Sequence, residues 1–219
     1  MSDPAAPAAP SASAEAVAPA LLRLGAATLG ESGGAALRNR VRAAWPGAAL
    51  AAPVYPVRCT PGDNLAIHVA VTRAPAGSAL AVDVGTEREL GYWGEVLTTA
   101  AEARGLTGLV IDGCVRDVAA LEGHGFPVFS TGLALRGATK QHRGWIGSRA
   151  LVGDVTVQAG DWVVGDADGV VVVPGRSLDD VIAAGEARAR KESGYFAALR
   201  DGATTVELLG LDAGLVKEP

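Results

Sequence analysis

Through the middle of the chain, short uninterrupted apolar runs alternate with segments in which apolar residues recur every three or four positions. The runs LAVDV at 80–84 and TGLVIDG at 107–113 lack an inward–outward alternation, which suits strands covered on both faces. Between them, GEVLTTAAEARGL puts Val96, Leu97, Ala100 and Ala101 on one helical face and ends on Gly105, a stop signal. VRDVAALEGHG then reads as a helix and FPVFSTG as a strand. Alternating strands and helices predict a largely parallel sheet, whose carboxyl edge is the side where ligands sit. Upstream, VYPVRCTPGDNLAIHVAVTRAPAG reads as strand, turn and helix, with Pro61, Gly62, Asp63 and Asn64 supplying turn and cap chemistry. Residues 20–37 predict one or two short helices broken at Gly33 and Gly34.

After Gly147 the pattern changes to short strands separated by Gly–Asp turns, which predicts hairpins or a small β-layer. SLDDVIAAGEARARKESGYFAAL predicts a long, partly exposed terminal helix, with Ser177 as N-cap followed by Asp180. The expected fold is a single-domain layered α/β/β sandwich: a central, mostly parallel sheet, a small C-terminal β-layer and a long final helix. Residues 1–19, rich in proline and alanine, are expected to be a disordered tail, leaving 20–219 as the domain.

Composition narrows the function. A chain of 219 residues supports one sizeable core. The formal charge of −5, with no dense Lys/Arg run, argues against a nucleic-acid surface, because phosphate neutralisation needs clustered cations. Cys59 and Cys114 make neither a disulfide framework nor a C-x-x-C metal motif, which fits a reducing cytoplasm. The N-terminus has no basic segment and no continuous apolar stretch, so neither a signal peptide nor a membrane anchor is expected.

Candidate chemistry gathers at the ligand edge. Arg116 and Asp117 follow a buried strand, combining a guanidinium that can clamp a carboxylate with a carboxylate that can hold a hard cation. The bland alternative is a charge pair in the first turn of a helix. Glu95 follows Gly94 at a helix start, where unpaired N–H groups can bind an anion. Other motifs read as structural. RGATK at 136–140 is a loop of solvated charges; Asp166 and Asp168 in GDADG form a hairpin turn without the remaining ligands of a calcium loop; Cys114 is an apolar filler. His68, His124 and His142 share no metal-ligand spacing, and Trp93 is placed to line a pocket mouth.

Gly94-Glu95-x-Leu97 followed by GLVIDGCVRD, with twenty residues between Glu95 and Arg116, resembles the acidic-x20-Arg-Asp signature of the class II pyruvate aldolases. That family includes 4-hydroxy-4-methyl-2-oxoglutarate aldolases and oxaloacetate decarboxylases, and is similar to the regulator of ribonuclease activity A. The resemblance runs from about residue 61 to the terminal helix, which makes 20–219 an aldolase-like catalytic domain. It implies that Asp117 ligates Mg²⁺ or Mn²⁺, and that Arg116 contacts the substrate's keto oxygen and carboxylate region. By the same resemblance Gly94, Glu95, Val96 and Leu97 form the turn whose amides receive the substrate carboxylate, and Glu95 orients a water that transfers protons. Relatives mostly carry aspartate where this chain has Glu95. The resemblance also implies a glutamate from a neighbouring subunit, with Glu192 as the best match and Glu186 as competitor, within a homotrimer or dimer of trimers.

The implied reaction breaks a C–C bond of a small 2-oxo acid and leaves pyruvate enolate, by retro-aldol cleavage or by decarboxylation of oxaloacetate. Neither route needs a Schiff-base lysine. The alternatives are a non-catalytic regulator of ribonuclease activity, or a related lyase or hydratase in a specialised pathway. A methyltransferase fits poorly, since no glycine-rich strand-to-helix loop suits S-adenosylmethionine.

Overall fold

A computed structural model describes residues 12–217. In chain order its main elements are α1 (Ala12–Glu31), β1 (Leu50–Arg58), α2 (Leu65–Arg73), β2 (Ala79–Asp83), α3 (Glu95–Glu102), β3 (Gly108–Asp112), α4 (Val118–His124), β4 (Val128–Ser130), β5 (Arg149–Val152), β6 (Val155–Gln158), β7 (Trp162–Asp166), β8 (Gly169–Val173), α5 (Leu178–Arg200) and α6 (Thr205–Leu209). Strands β1, β2, β3 and β4 pair in parallel, as the alternation of strands and helices predicts. Strand β7 adds antiparallel to β1, and β8 to β7.

The separate C-terminal β-layer is therefore corrected in part. Strands β7 and β8 join the main sheet, and the β5–β6 hairpin alone stands apart. The reason lies in their side chains: Val163, Val164, Val170, Val171, Val172 and Val173 are all buried, so these strands need cover on both faces.

Two short strands show how the sheet is shaped. Ala35–Ala36 pairs with β8 at one edge, and Arg42–Ala43 pairs with β4 at the other. The sheet order between them spans eight strands, about 34 Å if flat. Six residues of extended chain reach at most about 21 Å. The sheet must curl, and it forms an open half-barrel. Leu50, Val110, Phe129 and Val163 fill its inner face together with Ala150, Val152 and Val157 of the hairpin. On its outer face, Ile67, Val71, Leu97, Ala101 and Leu121 of α2, α3 and α4 pack on Leu80, Val82, Leu109 and Ile111. A third cluster joins α1 and α5 to β7 and β8 through Leu21, Leu24, Leu29, Trp162 and Val181.

The first helix differs from expectation in two ways. It ends at Glu31, just before the expected break at Gly33 and Gly34, but has a further break at Gly25 (φ 76°, ψ 163°). Of the tail read over 1–19, residues 1–11 lie outside the described residues, whereas the rest enters α1, with Pro19 inside it. At the kink, Asp166 Oδ2 accepts the Ala26 N–H at 2.7 Å, while Oδ1 accepts Asp168 N–H at 2.9 Å. The GDADG turn is thus a hairpin that also caps the second half of α1. Ser177 stands at the N-cap of α5 but makes no capping bond; its hydroxyl donates to Pro174 O. The capping box is at Thr204 and Glu207, opening α6. Among the described residues no helix is long and apolar enough to cross a membrane.

Asp166→Ala is expected to lower unfolding free energy by about 1 kcal/mol through the lost cap. Asp168→Ala should stay within about 0.5 kcal/mol of the parent protein. Urea denaturation of both variants tests the assignment.

Candidate functional site

The carboxyl ends of β2 and β3 point to the predicted ligand edge, but the first acidic residue there is already occupied. Asp112, 2% exposed, accepts from Arg40 at 2.9 and 2.8 Å, from Arg88 at 3.0 and 3.4 Å and from Gly153 N–H at 3.1 Å. Burial opposes its ionisation, and the two guanidiniums outweigh that and hold its carboxyl below the usual range. Past this anchor, Cys114–Val115 pairs in parallel with Gly132–Leu133, and the chain then presents Arg116 and Asp117.

These two residues precede α4 and do not form its first turn, which corrects the helix start read at 115. Asp117 is the N-cap in a left-handed conformation (φ 58°), and the Arg116 N–H donates to Trp93 O at 2.9 Å. That bond ties the Arg–Asp loop to the loop carrying Gly94. Asp117 Oδ2 then accepts the Glu95 N–H at 3.2 Å and lies 3.6 Å from Arg116 Nε. A side chain at position 94 could not coexist with this contact, because a Cβ on Gly94 would lie 2.3 Å from Asp117 Oδ2. The fold thus brings the Gly94–Leu97 turn and the Arg116–Asp117 pair, separated in sequence, against each other. As N-cap, Gly94 offers no side chain to the first-turn N–H groups of α3.

A pocket of about 140 Å³ opens beside them, lined by Val96, Leu97 and Arg116 and also by Asn64, His68, Ala138 and Lys140, but not by Glu95 or Asp117. Sequence reasoning passed over Asn64, His68 and Lys140. Asn64, 4% exposed, donates through Nδ2 to Tyr92 O at 2.8 Å, yet its Oδ1 is buried without a partner, as is His68 Nε2. A buried polar atom left unpaired costs about 1–3 kcal/mol, so two on one pocket wall mark a place where a ligand would complete the hydrogen bonding. Burial, then the nearby Lys140 ammonium, push the His68 imidazolium down, leaving a neutral ring at pH 7.

Lys140 arrives by way of Asp63. This buried carboxylate accepts the N–H groups of Leu65, Gln141 and His142 at 2.9, 2.5 and 3.1 Å and the Thr139 hydroxyl at 2.7 Å. Burial works against its charge, but these donors, Gln141 and Leu65 first, hold it well below the usual carboxylate range. The loop at 136–140 is therefore half as read. Arg136 pairs with Glu87 at the surface at 3.2 Å, whereas Lys140 lines the pocket. Trp93 also lines it, as a buried support: its Nε1–H donates to Thr98 Oγ1 at 2.7 Å and its ring stacks on Phe126.

The remaining predicted residues lie elsewhere. Glu95 directs a 57%-exposed side chain toward His124, 3.8 Å from Nε2. Glu192, on α5, pairs with Arg188 at 2.8 Å, and Glu186 with Arg23 at 3.1 Å; neither lines the pocket of its own chain. Among the described residues no three His, Cys, Asp or Glu side chains gather as a metal cage. A single half-exposed carboxylate with few neighbours suits a hard, largely hydrated ion and not a closed site.

Three comparisons set this geometry beside known proteins. A family model described as RraA-like, Aldolase/RraA, matches residues 25–172. A Halalkalibacterium halodurans protein provisionally named 4-hydroxy-4-methyl-2-oxoglutarate aldolase is 32% identical over 130 residues, 59% of this chain and 62% of that protein. The match spans less than two thirds of the length of that relative, and less still of a Legionella pneumophila protein, DlpA, at 28% identity over 62% of this chain and 23% of that protein. The crystal structure of an uncharacterized protein from Pseudomonas syringae pv. tomato superposes with a TM-score of 0.81 at 24% identity, covering 91% of this chain and 95% of that one. The RNA-processing inhibitor RraA from Thermus thermophilis superposes with a TM-score of 0.61 at 25% identity, covering 68% and 91%.

Asp63 makes a pH prediction. Its depressed carboxyl contributes stability that is present above its unfolded value of about 4 and is lost as pH falls through the folded value. Asp63→Asn is expected to be less stable at pH 7 and to lose less on acidification below about pH 4 than the parent. Thermal melts across pH 2–7 test the slope, and faster hydrogen exchange at 137–142 reports the freed loop.

Proposed function

The chain belongs to the RraA-like Aldolase/RraA family, and from that premise we propose that it is a divalent-metal-dependent lyase cleaving C–C bonds of 2-oxo acids to release pyruvate. The observation that carries this reading is the contact between Glu95 N–H and Asp117 Oδ2, with Arg116 beside it, next to a pocket lined by Arg116, Val96 and Leu97 and by Asn64 and His68, each of which has a buried polar atom without a partner. A protein that only docks onto another has no need for that arrangement.

The residues take roles that follow from charge. Breaking the C3–C4 bond, one carbon removed from the keto group, leaves an electron pair on C3 that delocalises onto the keto oxygen as an enolate, and the Arg116 guanidinium is the cation assigned to meet that charge. First-turn N–H groups of α3 at Val96 and Leu97 receive the 2-oxo acid's carboxylate, aided by the helix dipole. Asp117 would hold Mg²⁺ or Mn²⁺, which when bound would supply further positive charge to stabilise the enolate. Glu95 moves a proton by way of water: from the 4-hydroxyl in retro-aldol cleavage, and to the new methyl carbon in either reaction. Lys140 and neutral His68, facing them, suit a second carboxylate or a hydroxyl on the departing part of the substrate.

The substrate class is that of 4-hydroxy-4-methyl-2-oxoglutarate or oxaloacetate; a related lyase or hydratase would use the same charges. The assembly is proposed as a homotrimer or dimer of trimers. Val96 and Leu135, 76% and 92% exposed near the site, support a second copy covering this face, and Glu192 of such a copy would complete it. A non-catalytic regulator of ribonuclease is the second reading, favoured by the likeness to the Thermus RNA-processing inhibitor.

Pyruvate release from oxaloacetate and from 4-hydroxy-4-methyl-2-oxoglutarate is expected to require Mg²⁺ or Mn²⁺ and to fall about a hundredfold or more in Asp117→Ala. Gly94→Ala should lose activity similarly, because its methyl would occupy the space of Asp117 Oδ2. Metal-independent turnover, or full activity in Asp117→Ala, overturns the mechanism; no turnover of either compound favours the regulator.

A further inference from the structure

Glu95 and Glu102 are seven residues apart on α3, close to two full turns, so both face the same way. The neighbouring helix, α4, ends at His124, and its ring stands between the two carboxylates. Nδ1 lies 2.8 Å from Glu102 Oε2, and Nε2 lies 3.8 Å from Glu95 Oε1. The first contact is a hydrogen bond that fixes the ring. The second is longer than a hydrogen bond and is an attractive ion-pair contact when the ring carries both protons, since Nδ1 already faces Glu102. His124 itself is only 26% exposed on its side chain, held in the seam between the helices.

An aspartate carboxylate at position 95 would end about 1.5 Å short of the present one and would not reach the ring.

We propose that His124, with its ring set by Glu102, is a positioning residue that holds the Glu95 carboxylate for proton transfer, the three side chains forming a Glu–His–Glu array. This rests on the lyase reading above. The imidazole touches neither substrate nor metal in this scheme; it acts by limiting the rotamers of an otherwise solvent-exposed side chain, as the outer partners of catalytic carboxylates do.

A purely structural role, stapling α3 to α4, makes a different prediction, and two isosteric variants separate the roles. Asparagine can keep a donor where Nδ1 stands but cannot reach Glu95. Glutamine can keep a polar group where Nε2 stands and gives up Glu102. On the positioning role, His124→Asn keeps the melting temperature and KM of the parent while kcat for pyruvate release falls about tenfold. His124→Gln melts lower yet retains kcat within about threefold. In a Glu95→Asp background, His124→Asn changes kcat no further, because the shortened carboxylate is out of reach. The stapling role instead ties kcat to melting temperature in both variants.

Parent-level kcat in His124→Asn overturns the inference alone, as does a kcat that follows melting temperature across the variants or a further loss in the Glu95→Asp background. Absence of pyruvate release by the unmodified protein overturns both the inference and the lyase reading beneath it.

Discussion

At the end of β3 a buried aspartate is clamped by two arginines that come from distant parts of the chain. Arg40 belongs to the segment that runs from one sheet edge to the other, Arg88 to the loop that leads into Gly94, and the Gly153 N–H to the turn of the β5–β6 hairpin. A charge this deeply buried is tolerable only when fully paired, and removing one partner typically costs about 3–5 kcal/mol. The carboxylate of Asp112 therefore fixes three loops with respect to one strand end. Arg116 and Asp117 follow that strand end by four and five residues, beyond the short Cys114–Val115 pairing, so their placement depends on this anchor.

A second buried carboxylate, Asp63, acts the same way on the other wall. It gathers the Thr139 hydroxyl and the Gln141 and His142 N–H groups and so carries Lys140 to the pocket that Arg116 also lines. Between the two anchored walls, Asn64 Oδ1 and His68 Nε2 are left without partners. The charges that position the loops are satisfied internally, and the two unsatisfied atoms belong to residues that line the pocket. Gly94 belongs to the same scheme, since the backbone of the α3 turn can approach Asp117 only where no Cβ intervenes.

Much of this was legible in the chain, and the parts that were not have common causes. The parallel strands β1 to β4 and the helices α2 and α3 carry local signals, apolar periodicity and Gly or Pro punctuation, which act within a single element. Arg116 and Asp117 were placed at the right strand end, but in the wrong conformation, because a left-handed N-cap aspartate has no pattern that distinguishes it from a helical one. Ser177 had the right residue type for a cap, yet its hydroxyl turned to Pro174 O; the box formed at Thr204 instead, where the reciprocal Glu207 is at the correct spacing.

By itself the sequence determined the parallel core and the long final helix, and it singled out the two motifs that the fold brings together, because each depends on residues close together or on a spacing the backbone enforces. Tertiary structure alone decided that β7 and β8 extend the main sheet, that six residues linking both edges curl it, that Lys140 reaches the pocket, and that Glu95 turns toward His124. Those outcomes depend on which buried partner wins a given strand edge or carboxylate, a competition among groups up to about a hundred residues apart that no local periodicity encodes.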